Sequence, residues 1–175
     1  MTIGGFAAPI IVAAPDHLIV QVPPELTPGG YNVVVTGTNG TSDVAVLTVQ
    51  PVYPSIFFDS VGGVVTKLPS QSLIRPDNGA AAGDVLIVYL TGLGQTNPPL
   101  PKGKLALRDP LSFTGTPIVT IGGKSANVLH SLAVPGFVGL YQIAVAMPAG
   151  VPAGNAALQV TLSGVASNTV NITAR

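Results

Sequence analysis

The tetrapeptide Thr2-Ile3-Gly4-Gly5 returns as Thr120-Ile121-Gly122-Gly123, followed three places on by Ala8 in one case and Ala126 in the other. A repeat constrains architecture before any strand is drawn, because each copy must bury a similar surface in a similar way. The likeness runs on. Val20-Gln21-Val22-Pro23 aligns with Val145-Ala146-Met147-Pro148, Pro28-Gly29 with Ala153-Gly154, and Val35-Thr36 with Val160-Thr161. The later copy carries about five extra residues around 135–140, where a surface loop tolerates insertion.

Turn-forming residues break the chain into short pieces: 21 Gly and 17 Pro occur, while 47% of residues are hydrophobic, enough to fill a core. Alternation and β-branched content predict strands at 17–22, 31–37 and 44–50, with Asn39-Gly40 as a tight turn between the last two. Further strands are predicted at 84–91, 118–121, 126–132, 139–146, 156–163 and 169–173. No segment keeps a period of 3.6. The expected fold class is all-β: tandem immunoglobulin-like β-sandwiches, the first incomplete. Residues 1–50 form the partial repeat, and 51–54, bracketed by Pro51 and Pro54, form a stiff linker. Residues 55–175 form the complete sandwich, with inserted loops 60–83 and 97–109.

The two copies differ in one respect that bears on function. The later copy has a long run before its Thr-Ile-Gly-Gly, including the apolar strand 84–91, whereas the first copy begins at that motif. Its opening strands are missing. A sandwich lacking them exposes apolar faces and an unpaired backbone edge, and each unpaired group buried without a partner costs about 1–3 kcal/mol.

Charge narrows the possible partners. Only 8% of residues are charged, seven basic against seven acidic, so no basic field exists to hold a phosphate backbone. Trp is absent, which removes the usual stacking platform for single strands, and nucleic acid is excluded. With no Cys there are no disulfides, thiolate metal sites or cysteine nucleophiles. No run of eighteen apolar residues exists to span a membrane as a helix. The opening Met-Thr-Ile-Gly-Gly lacks a basic region followed by an apolar run, so it is not a signal peptide, and export implies a leader outside this chain.

Four stretches read in order carry a family resemblance. They are Pro54-Ser55-Ile56-Phe57, the segment 83–96 around Leu86-Ile87-Val88-Tyr89, Val119-Thr120-Ile121-Gly122-Gly123, and the segment 134–143 around Gly139-Leu140-Tyr141. Residues 54–175 resemble the uncharacterised C-terminal immunoglobulin-like repeat domain of exported acidobacterial proteins. Residues 1–50, with Pro28-Gly29-Gly30-Tyr31-Asn32 at their centre, are similar to the second half of an IPT/TIG-like immunoglobulin domain. The resemblance implies an extracellular or cell-surface module that accompanies other domains. It implies no catalytic residues.

Candidate chemistry is sparse. His17 and His130 are the only histidines, too few for a metal site at any ligand spacing. Asp16 and His17 point to opposite sides of an extended chain, and so do His130 and Ser131. A triad drawn from Ser125 or Ser131 with His130 and Asp84 has no nucleophile elbow to support it. Gly92-Leu93-Gly94 lacks the Lys of a phosphate loop. The expectation is no catalytic residue, no metal ligand and no cofactor. Calcium held by Asp59, Asp77, Asp84 and Asp109 is the residual alternative.

Three functions follow as expectations. The first is a non-enzymatic extracellular structural or adhesive module that self-associates by strand pairing or swapping. Its contact is the edge strand His17, Leu18, Ile19, Val20, Gln21 and Val22. The second is a binding module for a protein or polysaccharide, using Arg75 and Asp77 in one loop and Lys102, Lys104, Arg108 and Asp109 in the other. The third is a promiscuous or metal-assisted hydrolase with its site at an oligomer interface.

Overall fold

The computed structural model describes residues 1–175, and every strand pairing in it is antiparallel. The first strands are β1 (Thr2–Ile3), β2 (Phe6–Ala7), β3 (Ile10–Ala13), β4 (Leu18–Val20), β5 (Gly29–Val34), β6 (Thr36–Gly37), β7 (Gly40–Thr41) and β8 (Ala45–Val49). After them come β9 (Ser55–Ile56), β10 (Val65–Lys67), β11 (Ser72–Leu73), β12 (Val85–Thr91) and β13 (Ile118–Ile121). The last are β14 (Lys124–Ala133), β15 (Tyr141–Ala146), β16 (Gly154–Leu162), β17 (Val165–Ala166) and β18 (Val170–Ala174).

Strands β9 to β18 make one large sheet, curled as a half-barrel. The curl is made by β14. Its first residues pair with β13 and the rest pair with β15, so one strand serves both arms of the sheet. A bulge between Val128 and His130 adds to the bend, since an extra residue on one strand increases local twist. Inside the curl, Leu86, Val88 and Leu90 of β12 meet Val119, Ile121, Leu158 and Val160 in one core of 21 residues, all between Ile56 and Ala174.

The sequence repeat is a repeat of hydrogen-bonding register. In β1–β2, Ile3 pairs with Phe6 across Gly4-Gly5; in β13–β14, Ile121 pairs with Lys124 across Gly122-Gly123. All four glycines have positive φ, the conformation that the central residues of such a two-residue hairpin require. Ile3 faces Val33 as Ile121 faces Leu158, and Gly29 faces Val49 as Gly154 faces Ala174. Ile10 pairs with Val20 and Val12 with Ile19, matching Val128 with Val145 and His130 with Ala144, so even the bulge recurs. Ser42 Oγ accepts from Val35 N at 3.0 Å, and Ser167 Oγ accepts from Val160 N at the same distance.

Two differences separate the copies. First, β14 is continuous in the later copy, but its counterpart is split into β2 and β3 at Ala8-Pro9. Pro9 has no N–H to offer a ladder, which fits a break at this point. Second, no segment stands to residues 1–50 as residues 55–91 stand to residues 118–174. In residues 1–50 only Ile3, Ala8 and Pro23 are buried.

Several expectations need correction. Segment 60–83 is more than an inserted loop: it contributes β10 and β11 to the large sheet and buries Val65, Ile74 and Ala80 in the core. Strands β1, β2 and β3 lie where none was predicted, because short pieces beside Gly-Gly and Pro give too few residues for a period to show. The turn expected at Asn39-Gly40 is centred one residue earlier, on Thr38-Asn39, with Gly37 paired to Gly40. Residues 51–54 do not hang free. Tyr53 N donates to Gly92 O at 2.8 Å, Pro54 is buried, and Gly94 lies so close to Pro51 that a Cβ there would come within 2.5 Å of its carbonyl oxygen.

Candidate functional site

The most distinctive surface is the inward face of residues 1–50. Leu18 and Val20 correspond by register to Ile143 and Val145, both fully buried, and Val33 corresponds to fully buried Leu158. In the first copy these side chains are half-exposed, and neighbouring Ile10 and Val22 are 51% and 43% exposed. What covers the later face is visible in the register. β12 lies along β15, with Leu86 opposite Val145 and Val88 opposite Ile143, whereas β4 has β3 on one side and no strand on the other.

Backbone direction follows from two bonds. Ala14 N donates to His17 O and Gln21 N donates to Pro9 O, so alternate residues of β4 turn their polar groups to β3. With a period of two, Leu18 and Val20 turn theirs to the open edge. The other rim is open as well. In the later copy Ala80 N donates to Thr173 O and Arg175 N donates to Ala80 O, but β8 has no such neighbour, and Val46 stands 73% exposed.

The edge expected at residues 17–22 is therefore found at Leu18, Ile19 and Val20, with His17, Gln21 and Val22 outside the regular strand. Asp16 and His17 do not point apart as an extended chain would place them. The chain bends at Pro15-Asp16, and His17 Nδ1 lies 2.8 Å from Asp16 Oδ1. Both are exposed, and no third ligand stands near them. Gln21 faces away from the apolar side and accepts a hydrogen bond from Gly103 N at 2.7 Å.

The loop candidates are already engaged within the chain. Lys102 Nζ donates to Glu25 at 3.1 Å and sits 5.9 Å from the centre of the Phe6 ring. Glu25 has its pKa lowered, first by a backbone hydrogen bond and then by Lys102. Lys104, Arg108 and Asp109 are exposed and form no ion pair, so the charge cluster disperses rather than converging on a ligand. Arg75 donates to Asp59 and to Ile74 O. Asp59 accepts from Val61 N and Gly62 N at 2.9 and 3.1 Å, and these two bonds, then Arg75, hold its carboxyl below the usual range. Asp77 is exposed beside this lock.

No assembled chemistry joins the candidate nucleophile and base. Ser131 is buried and bonded to Thr114 Oγ1 at 2.6 Å, while the Gln142 amide lies 3.3 Å from His130 Nε2. Asp84 is elsewhere, accepting from Ala81 N at 2.9 Å with Lys67 Nζ 3.6 Å away. A depression of about 300 Å³ beside His130, Phe113 and Thr116 is open and collects no carboxylate. Nowhere do three His, Asp or Glu side chains converge, and Asp59, Asp77, Asp84 and Asp109 are not gathered into one cluster.

One structural contact was not foreseen. The Asn168 side chain accepts from Ile56 N at 2.7 Å and donates to Ile56 O at 3.0 Å, tying β9 to the body of the later copy. Its counterpart is Asp43, the residue after Ser42, and Asp43 is exposed. The aligned pairs Ser42-Asp43 and Ser167-Asn168 contain the signal, but its meaning depends on a partner more than a hundred positions away.

Comparison with protein-family models, curated proteins and solved structures gives no match. The observations support an all-β protein with several antiparallel sheets, and they assign no family.

Proposed function

We propose that this chain is a non-enzymatic structural or adhesive module, and that residues 1–50 are its contact surface. In this reading the curled sheet is an immunoglobulin-like sandwich and residues 1–50 are the closing half of a second one. The motif order shared with repeat domains of exported proteins supports an extracellular or cell-surface setting. One observation carries the reading: residues 1–50 repeat the pairing of residues 118–174 strand for strand, yet leave exposed the face that residues 55–91 cover in the later copy. An exposed aliphatic face beside an unpaired strand edge favours association by β-augmentation. The loop-binding reading is less favoured, since Lys102 and Arg75 are paired internally.

Hydrogen exchange in dilute protein tests this. Amides of β4, β5 and β8 are expected to exchange far faster than those of β15, β16 and β18, because few buried contacts protect them. Equal protection of both copies in the dilute monomer would show a self-contained unit and end the proposal.

A further inference from the structure

The chain contains two Asn-Gly steps, Asn39-Gly40 and Asn78-Gly79. We propose that Asn39 is a modification site that loses its side-chain amide spontaneously, becoming aspartate or isoaspartate, and that the fold withholds Asn78 from the same reaction. In this chemistry the backbone nitrogen of the glycine gives up its proton to hydroxide and attacks Asn Cγ. The Cγ–N bond breaks, its nitrogen leaves as ammonia after taking a proton from water, and a five-membered succinimide closes. Water opens that ring at either carbonyl, giving aspartate by one route and isoaspartate by the other. The net exchange is one water for one ammonia. Glycine favours ring closure because no Cβ shields its nitrogen and its backbone turns freely. The rate is then set by how freely the amide carbon and that nitrogen can meet.

At Asn39 little stands between them. It is the second residue of the turn Thr38-Asn39, and residues 36–46 are exposed throughout. Its amide makes no hydrogen bond within the chain, and a Cβ placed at Gly37 or Gly40 would meet nothing within 4 Å. Gly40 is paired with Gly37, so its N–H must first leave the ladder, and this hairpin is poorly made to hold it. Two-residue hairpins favour positive φ at both turn residues, which matches the twist of the strands. The counterpart turn of the later copy, Ser163-Gly164, has φ of 51° and 81°, whereas neither Thr38 nor Asn39 has positive φ. The one side-chain contact between β6 and β7 joins Thr36 Oγ1 to Thr41 Oγ1 at 3.5 Å. A tip held this thinly opens at little cost.

Asn78 is held on both sides. Its amide donates to Ser72 Oγ at 2.8 Å and to Leu73 O at 3.0 Å. Gly79 is buried against Thr173 of β18, and its carbonyl accepts from Lys67 Nζ at 3.1 Å. Cyclisation there has to break both amide bonds inside a packed segment. The consequence falls on the first copy alone, since Gly164 stands in the later copy where Asn39 stands in the first. Residues 1–50 contain Asp16, Glu25 and Asp43 and no Lys or Arg, so each conversion deepens a negative charge. Isoaspartate also adds one atom to the backbone of the turn and displaces the Gly37–Gly40 register.

Trypsin separates the two sites: cleavage after Lys67 and Lys102 leaves Asn39 in peptide 1–67 and Asn78 in peptide 68–102, Arg75 being followed by Pro76. The whole chain is aged in mildly alkaline buffer at body temperature, and the amide-to-acid mass gain is followed in each peptide. Peptide 1–67 should gain it at least about tenfold faster than 68–102, because only Asn78 has two hydrogen bonds to break. The product should resolve into aspartate and isoaspartate forms at position 39. In urea the two rates should come together. Asn39→Gln should abolish the gain in 1–67, since a six-membered ring closes far more slowly, and Ser72→Ala should speed the gain in 68–102 by removing one partner of the amide. Equal rates in the folded protein overturn the proposal. So does a gap that persists in urea, which would place the difference in local sequence rather than in the fold, and so does a gain in 1–67 that survives Asn39→Gln.

Discussion

Residues 1–50 and 118–174 run the same strands in the same register and end in different physical states. In the later copy Ile143, Val145, Leu158 and Val160 lie wholly inside the core; in the earlier one Leu18, Val20, Val33 and Val35 remain partly in water. The hairpin turns, the bulge and the serine bonds are common to both. Pairing register is therefore written locally, by turn glycines and alternating side chains, while burial depends on whether a second layer is present.

The comparison is most strongly tested by truncating equivalent side chains in dilute protein. Ile143→Ala should lower unfolding free energy by about 2–5 kcal/mol in urea, whereas Leu18→Ala should cost only about 1 kcal/mol, because part of its surface stays in contact with water and less of it is removed from solvent on folding. Equal costs would mean that the first copy has a core of its own. Next in size is the amide anchor. Asn168→Ala leaves the Ile56 backbone groups without partners and should cost about 2 kcal/mol, while Asp43→Ala should fall within about 0.5 kcal/mol of wild type.

The hairpin glycines should behave alike in both copies. Gly122 has φ +56°, and a Cβ there would lie 2.7 Å from Val151; Gly4 has φ +58°, and a Cβ would lie 2.5 Å from Tyr31. Each Ala replacement should cost about 1–2 kcal/mol from left-handed backbone alone. A silent Gly4→Ala would show that the first hairpin is too loosely held to register strain. The smallest effect is that of pH. Asp59 and Glu25 have folded pKa values below their unfolded ones, so they contribute stability above about pH 4, and this is lost as pH falls through the folded values. Melting curves should shift slightly downward on acidification, less so for Asp59→Asn, and the Glu25–Lys102 part should weaken with added salt.

Much of the strand plan was legible because its signals are short-range. β13 was expected at 118–121 and forms there, and 84–91 and 156–163 fall within a residue or two of β12 and β16. Less was legible where a segment's role depends on distant partners. Nothing local in 60–83 announces that Val65 faces Val88, and nothing in Asn168 points to Ile56. The charge cluster at 102–109 looked free because Glu25, which holds Lys102, lies far off in the sequence.

From the amino-acid order alone came an all-β chain and the place of the repeat, since turn chemistry, two-residue alternation and self-similarity are properties of neighbouring residues. Only the tertiary structure decided that β14 curls one sheet around a single core, that the linker docks on Gly92 and Gly94, and that Asn168 fastens the covering layer. Those outcomes depend on which distant surfaces exclude water from one another, and burial of that kind is a property of the assembled layers rather than of any stretch of chain.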